Sequence, residues 1–176
     1  MNNKKIKIGI LGGSFNPPHL GHLFISEQAI KKLGLKQVWW MVSPQNPLKQ
    51  ANIKDSFMQR IELCEDFTKD HPQIKIKDLE SRLFKYNKKF YSYDLLKRLN
   101  AKFKDHEFYF IIGADNLTQF HKWYKFKELS KLAKIVAFER PGYKASNSKA
   151  AIIGIEHQFI SGKTVAISST ELRKIK

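Results

Sequence analysis

Short runs of β-branched and aromatic residues alternate along this chain with stretches whose apolar residues recur every three or four positions. That alternation restricts the fold more than any other feature. Ile6, Ile8 and Ile10 open the first strand, and a helix is expected from about Gly21 to Leu33. Ile25, Ala29, Ile30 and Leu33 share one face of that helix, and Gly34 marks its stop. QVWWMV, from Gln37 to Val42, reads as a second strand, and the Pro-, Asn- and Gln-bearing stretch from Pro44 to Lys54 as a loop. Asp55-Ser56 can cap a helix whose Phe57, Ile61, Cys64 and Phe67 lie together. Ile74 and Ile76 suggest a short strand, and Ser92 or Asp94 begins a helix through Leu95, Leu96, Leu99 and Phe103. Further strands are expected over Glu107 to Gly113, Lys134 to Gly142 and Val165 to Ile167, the last running into the cap cluster Ser168-Ser169-Thr170. Such alternation predicts an α/β fold: a doubly wound, mainly parallel sheet with helices on both faces. Ligands then bind beyond the carboxyl ends of its strands.

The 176 residues suit one domain, and no linker, repeat or low-complexity segment divides them. No apolar run approaches the ~20 residues of a membrane span. The opening MNNKKIKIGILGG has basic then apolar residues, but polar Ser14, Asn16 and His19 interrupt it before a signal-peptide core is complete. A cytoplasmic location is therefore expected. The single cysteine, Cys64, excludes an internal disulfide framework and reads as a small core residue. A net charge of +16 invites a nucleic-acid reading. However, arginine appears only at positions 60, 82, 98, 140 and 173, and the lysines are spread from Lys4 to Lys176 with no block longer than a pair. Nucleic-acid readers cluster their basic residues and use arginine for forked contacts. The excess here reads as a solvated surface with mild attraction for anionic substrates.

The first strand ends in Gly12-Gly13-Ser14-Phe15-Asn16-Pro17-Pro18-His19-Leu20-Gly21-His22. Glycines let backbone N–H groups approach a phosphate without a Cβ in the way. His19 and His22, three apart at the mouth of a helix, project to one side if both lie on its first turn, with the positive helix end behind them. This suits a polyphosphate, although neither GxGxxG nor GxxxxGK[ST] is present. Two such histidines also suit helix capping or a metal pair, but no third ligand stands at helical spacing.

GGSFNPPHLGH resembles the G-[ST]-F-x-P-x-H-x-G-H signature of the nucleotidyltransferases that carry an HxGH motif. Ile167-Ser168-Ser169-Thr170-Glu171-Leu172-Arg173 is similar to their late ISSTxIR sequence. Over nearly its whole length the chain resembles the bacterial nicotinate mononucleotide adenylyltransferases. WWMVSPQNPLK, SFMQRIEL, FYSYDLL, FIIGADNLTQFHKWYKFKEL and ERPGY carry that likeness. The resemblance implies a Rossmann-like fold and an enzyme that joins nicotinate mononucleotide to the AMP part of ATP, releasing pyrophosphate and making deamido-NAD. It also implies small-molecule partners, ATP and nicotinate mononucleotide, with no nucleic acid and no membrane. The sequence leaves the oligomeric state open.

The implied roles fit the chemistry. A nucleotide 5′-phosphate, with a second pKa of about 6 by analogy with phosphoserine, is mostly dianionic at pH 7 and needs no general base. The task is in-line placement and charge stabilisation on the α-phosphate of ATP and the departing pyrophosphate. His19, His22 and Arg173 are the implied catalytic residues. Gly12, Gly13, Ser14, Phe15 and His22 would hold ATP together with Gly113, Asp115, Ser168, Ser169, Thr170 and Arg173. Asn46, Lys49, Ser92 and Trp123 would meet the mononucleotide, Trp123 by stacking on the pyridine ring. Mg²⁺ is the implied cofactor, bound mainly through phosphates with no protein metal ligand.

The chain also departs from the family's pattern. Pro47-Leu48-Lys49 stands where the family often reads PPHK, Asn16 replaces a frequent Asp, and only three residues follow Arg173. The C-terminus is thus expected to be short relative to the family. Four other functions remain open from the residues alone: transfer to nicotinamide mononucleotide, transfer to pantetheine phosphate, a basic nucleic-acid-binding module, and a nucleotide sensor that binds ATP without turnover, against which intact His19, His22 and Arg173 speak.

Overall fold

The computed structural model describes residues 4–43, 56–79, 91–139 and 155–161. Its strands are β1 (Ile6–Gly13), β2 (Gln37–Val42), β3 (Ile74–Lys77), β4 (His106–Gly113), β5 (Lys134–Phe138) and β6 (His157–Ile160). Its helices are α1 (Leu20–Leu33), α2 (Phe57–Thr68), α3 (Ser92–Lys102), α4 (Ala114–Thr118) and α5 (Phe126–Leu132), with a 3₁₀ turn over Phe120–Lys122. All neighbouring strands pair in parallel. Their order is β3-β2-β1-β4-β5-β6, the Rossmann arrangement.

A parallel sheet is covered on both faces, so its strands are apolar nearly throughout while alternate residues enter different cores. Ile8, Ile10, Phe108, Phe110, Ile135 and Ala137 pack under α3, α4 and α5. Leu11, Val38, Trp40, Ile111, Val136 and Phe138 pack under α1 and α2. Gly9 is the close point of the second core: a Cβ there would come within 2.8 Å of Ile111 Cδ1 and 2.9 Å of Leu35 Cδ1.

Local chemistry sets the helix ends. Gly34 adopts the left-handed conformation (φ 62°) and its N–H returns to Ile30 O, closing α1 as the sequence led us to expect. Ser56 caps α2 through its side chain, which accepts from Gln59 N. Helix α3 begins at Ser92, and Asp94 accepts from the N–H of Tyr91, the residue before it.

Some expectations need adjusting. Helix α1 begins at Leu20, so His19 stands just before the first turn, in extended conformation. Strand β5 stops at Phe138 within the expected span, and Glu139 N then bonds Ile160 O of β6. The strand β6 and the short α4 and α5 were not anticipated. The expected loop from Pro44 to Lys54 and the strand from Val165 to Ile167 lie outside the described residues. Among the described residues no helix is long and apolar enough to cross a membrane.

Candidate active site at the carboxyl edge of the sheet

Strand order reverses at β1, whose neighbours are β2 on one side and β4 on the other. The helix after β1, α1, packs on one face of the sheet and the helix after β4, α4, on the other, so the carboxyl ends of β1 and β4 flank a crevice. Gly12 and Gly13 end β1, and Gly113 ends β4.

Neither Gly12 nor Gly13 has a positive φ, so backbone conformation does not require glycine at either position. The surroundings distinguish the two. A Cβ on Gly13 would press on the Phe15 ring at 3.2 Å, whereas a Cβ on Gly12 would meet no described residue within 4 Å. Gly12 therefore borders open space at the sheet edge. Phe15 takes the left-handed conformation (φ 45°), unusual for a bulky residue, and its ring is buried beneath the loop. It stacks on Trp40 at 4.7 Å with planes 12° apart and touches the His22 ring at 4.7 Å.

His19 and His22 cap α1 and also face each other. Gly21 N–H donates to His19 Nδ1 at 3.1 Å, and His19 N–H donates to His22 Nδ1 at 3.3 Å. Their rings stack with centroids 3.7 Å apart. An Nδ1 that accepts a hydrogen bond carries no proton, so each neutral ring holds its proton on Nε2. Nδ1 of each ring thus serves the start of the helix, and capping leaves the Nε2–H of the neutral ring outside the cap itself. A buried relay steadies the pair. Trp40 Nε1 donates to Ser26 Oγ at 2.8 Å, and Ser26 Oγ donates to the His22 carbonyl at 2.8 Å. The first turn of α1 holds no acidic residue, so no carboxylate there offsets the positive helix end.

Gly113 precedes α4, and Asp115 lies in that helix's first turn, at the β4 side of the crevice. Ser92 is the first residue of α3, which runs back to the start of β4, so its N-terminus lies at the same sheet edge. Trp123 follows the 3₁₀ turn, half-buried against Phe110 (6.0 Å) and Phe120 (5.3 Å). The Ser92 and Trp123 segments meet, because Tyr91 stacks on Tyr124 at 4.6 Å. The Lys125 ammonium lies 5.0 Å from the Tyr93 ring and 5.4 Å from that of Tyr124. Asn46, Lys49, Ser168, Ser169, Thr170 and Arg173 lie outside the described residues.

Cys64 is fully buried, and burial pushes its thiol up to about 12, which suits a core residue and not a nucleophile. Among the described residues no three His, Cys, Asp or Glu side chains gather to hold a metal ion.

Arg60 is the residue the sequence reading missed. It is buried, and its Nη1 donates to Ser14 O at 2.6 Å and Ser43 O at 2.7 Å. The available signal was its spacing: it shares the apolar face of α2 with Phe57 and Cys64, in a chain whose other cations are mostly lysines, largely exposed among the described residues.

Comparison with known proteins agrees with this architecture. Residues 10–175 match the cytidylyltransferase-like family. A Pelagibacter ubique protein named a probable nicotinate-nucleotide adenylyltransferase is 45% identical, with 99% of this chain and 96% of that protein aligned. A Brucella suis protein of the same name is 35% identical over 96% of this chain and 95% of its own. The solved Plasmodium falciparum nicotinic acid mononucleotide adenylyltransferase complexed with NaAD superposes with a TM-score of 0.79. That match covers 96% of this chain and 82% of that one; at 23% identity it speaks for the fold. Matched along nearly its whole length by these relatives, and carrying a histidine pair at the start of the helix that follows the first strand of its Rossmann sheet, the chain belongs to the nicotinate-nucleotide adenylyltransferases.

Proposed function

We propose that this enzyme transfers the adenylyl group of ATP to nicotinate mononucleotide, giving deamido-NAD and pyrophosphate in NAD biosynthesis. The observation that carries this reading is the His19–His22 pair. Two imidazoles 3.7 Å apart, each with Nδ1 engaged by a backbone N–H, offer Nε2–H donors beside the positive end of α1. Such donors suit an α-phosphate that gains charge in the transition state.

A phosphate oxygen of the mononucleotide attacks the α-phosphorus of ATP, and the bond from that phosphorus to the bridging oxygen breaks. Pyrophosphate leaves with the bond's electrons. His19 and His22 donate hydrogen bonds to the α-phosphate, while Gly12 and Gly13 let the backbone approach it, with Ser14 following in the loop. Phe15 contributes from beneath, since its ring is packed against His22 and Trp40. Ser168, Ser169, Thr170 and Arg173 are assigned to the β- and γ-phosphates, and Gly113 and Asp115 to the adenosine side. Asn46, Lys49, Ser92 and Trp123 are assigned to the mononucleotide. The half-buried Trp123 suits both a core contact and a stacking face.

Imidazole N–H and backbone N–H groups address phosphate oxygens and not a hard cation, so this donor set fits Mg²⁺ carried by ATP itself. When bound there, Mg²⁺ would offset charge on the leaving pyrophosphate. We further assign residues 1–176 to a single nucleotidyltransferase domain working in the cytoplasm.

Pyrophosphate release, measured with ATP and Mg²⁺ against nicotinate mononucleotide, nicotinamide mononucleotide and pantetheine phosphate in parallel, tests this reading. Turnover with the nicotinate form, well above the other two, is expected. Equal or faster turnover with either rival moves the enzyme to that substrate.

A further inference from the structure

We propose that Arg60 is a positioning residue that sets the distance between the carboxyl end of β1, from which the chain runs to the histidine pair, and the carboxyl end of β2. The inference rests on the adenylyl-transfer reading above. Ser14 is the first residue after β1, and Ser43 the first after β2. Arg60 Nη1 binds both carbonyl oxygens at once, at 2.6 and 2.7 Å, and the backbone adds a third tie from Ser43 N to Gly13 O at 2.9 Å. From Ser14 the chain runs on to His19 and His22. From Ser43 it runs on to Asn46 and Lys49, the proposed mononucleotide side. One nitrogen of one side chain therefore joins the roots of the segments that receive the two substrates.

Helix packing alone does not call for an arginine here. Arg60 is 1% exposed and its neighbours on that face, Ile61 and Cys64, are apolar and buried. An aliphatic residue of similar length would fill the same volume without the cost of burying a guanidinium. What only the cation provides is a donor that reaches two carbonyls together, and a fixed positive charge under a loop meant for anions. The transfer needs its attacking oxygen about 3–3.5 Å from phosphorus, and a misplacement of about 1 Å can cost ~10²-fold in rate. A link that fixes the spacing of these two strand ends acts on that alignment more than on affinity for either substrate alone.

The test compares wild type with Arg60→Met, which removes the donor at similar length, and Arg60→Lys, which keeps a charge on a shorter stem. Steady-state kinetics are run for ATP and for nicotinate mononucleotide, with the folded fraction taken from circular-dichroism melts. We expect kcat per folded molecule to fall roughly 10²-fold in Arg60→Met and about 10-fold in Arg60→Lys, while each KM stays within about threefold. A lower Tm with unchanged kcat per folded molecule would overturn the proposal, and so would a rise in KM alone. Should the methionine variant fail to fold, the lysine variant decides by the same criterion. Wild type that releases no pyrophosphate would overturn the transfer reaction itself, a result separate from any difference between wild type and variants.

Discussion

Gly12→Ala separates a glycine kept for a ligand from one kept for the fold. The added methyl enters open space among the described residues, none of which lies within 4 Å of the Cβ position. The backbone there is not left-handed, so alanine fits without strain. Restricting the unfolded chain should then stabilise the protein by about 0.4–1 kcal/mol. For a domain of this size that raises Tm by roughly 1–4 °C. A polyphosphate in the same space would have to retreat from the backbone. Losing one charge-assisted hydrogen bond costs about 1.5–3 kcal/mol, so kcat/KM for ATP should fall roughly 10- to 100-fold.

The expected signature is a more stable and poorer enzyme, read by a thermal melt and by ATP titration at saturating mononucleotide. Gly9→Ala is the opposite case. Its methyl would meet Ile111, Leu35 and Val38 at 2.8–3.0 Å, and overpacking of that kind costs about 1–3 kcal/mol. That variant should melt earlier, with kcat/KM per folded molecule unaltered. If Gly12→Ala gained stability and kept its kcat/KM for ATP within twofold, no phosphate would occupy the space beside Gly12, and the argument from the open glycine would fail.

Four further outcomes can be checked. His22→Ala should lower kcat by ~10²–10³, as the loss of one preorganised donor does elsewhere; an unchanged kcat would remove His22 from the reacting phosphate. Trp123→Ala should weaken mononucleotide binding by about 1–3 kcal/mol if the indole stacks on the ring, whereas a lower Tm with unaltered affinity would leave it as core. Native enzyme should resist iodoacetamide at pH 8, because Cys64 is buried and its thiol is pushed up to about 12. Labelling that is complete in minutes without unfolding would contradict that burial. The Lys134 ammonium hydrogen-bonded to Glu107 holds that carboxylate below its usual range. Its stabilisation is then present above the ordinary glutamate pKa of about 4.3 and lost as pH falls through the depressed value. Glu107→Gln should therefore lower Tm at pH 7 and match wild type in strong acid; a deficit constant with pH would place its origin elsewhere.

Most of the sheet was legible because its strands are buried on both faces and read as apolar runs. QVWWMV forms β2 at its expected bounds, and Ile74 and Ile76 mark β3. Strand β6 was hidden by its brevity and partial exposure: among the described residues HQFI pairs only with β5, and of its four residues only Ile160 is buried. Helices α4 and α5, at five and seven residues, are too short for a helical period to show. At the site, the glycines and the histidine spacing could be read directly. The division of labour between Nδ1 and Nε2 could not, because it depends on where two backbone N–H groups point. Arg60 escaped notice because its partners are carbonyls 46 and 17 positions away, which leave no pattern in the local sequence.

The strand order also bears on how the molecule is made. Each paired residue of β1 meets a residue of β4 one hundred positions further along, Ile6 beside His106 and Leu11 beside Ile111. The other side of β1 is satisfied much sooner, by β2, which is in turn paired with β3. On a ribosome adding about 5–20 residues per second, roughly 5–20 s separate the synthesis of β1 from that of β4. For that interval the open edge of β1, the future floor of the crevice, is a row of unpaired backbone groups available to any passing strand. The nascent half-sheet is the form of this enzyme with most to gain from a chaperone.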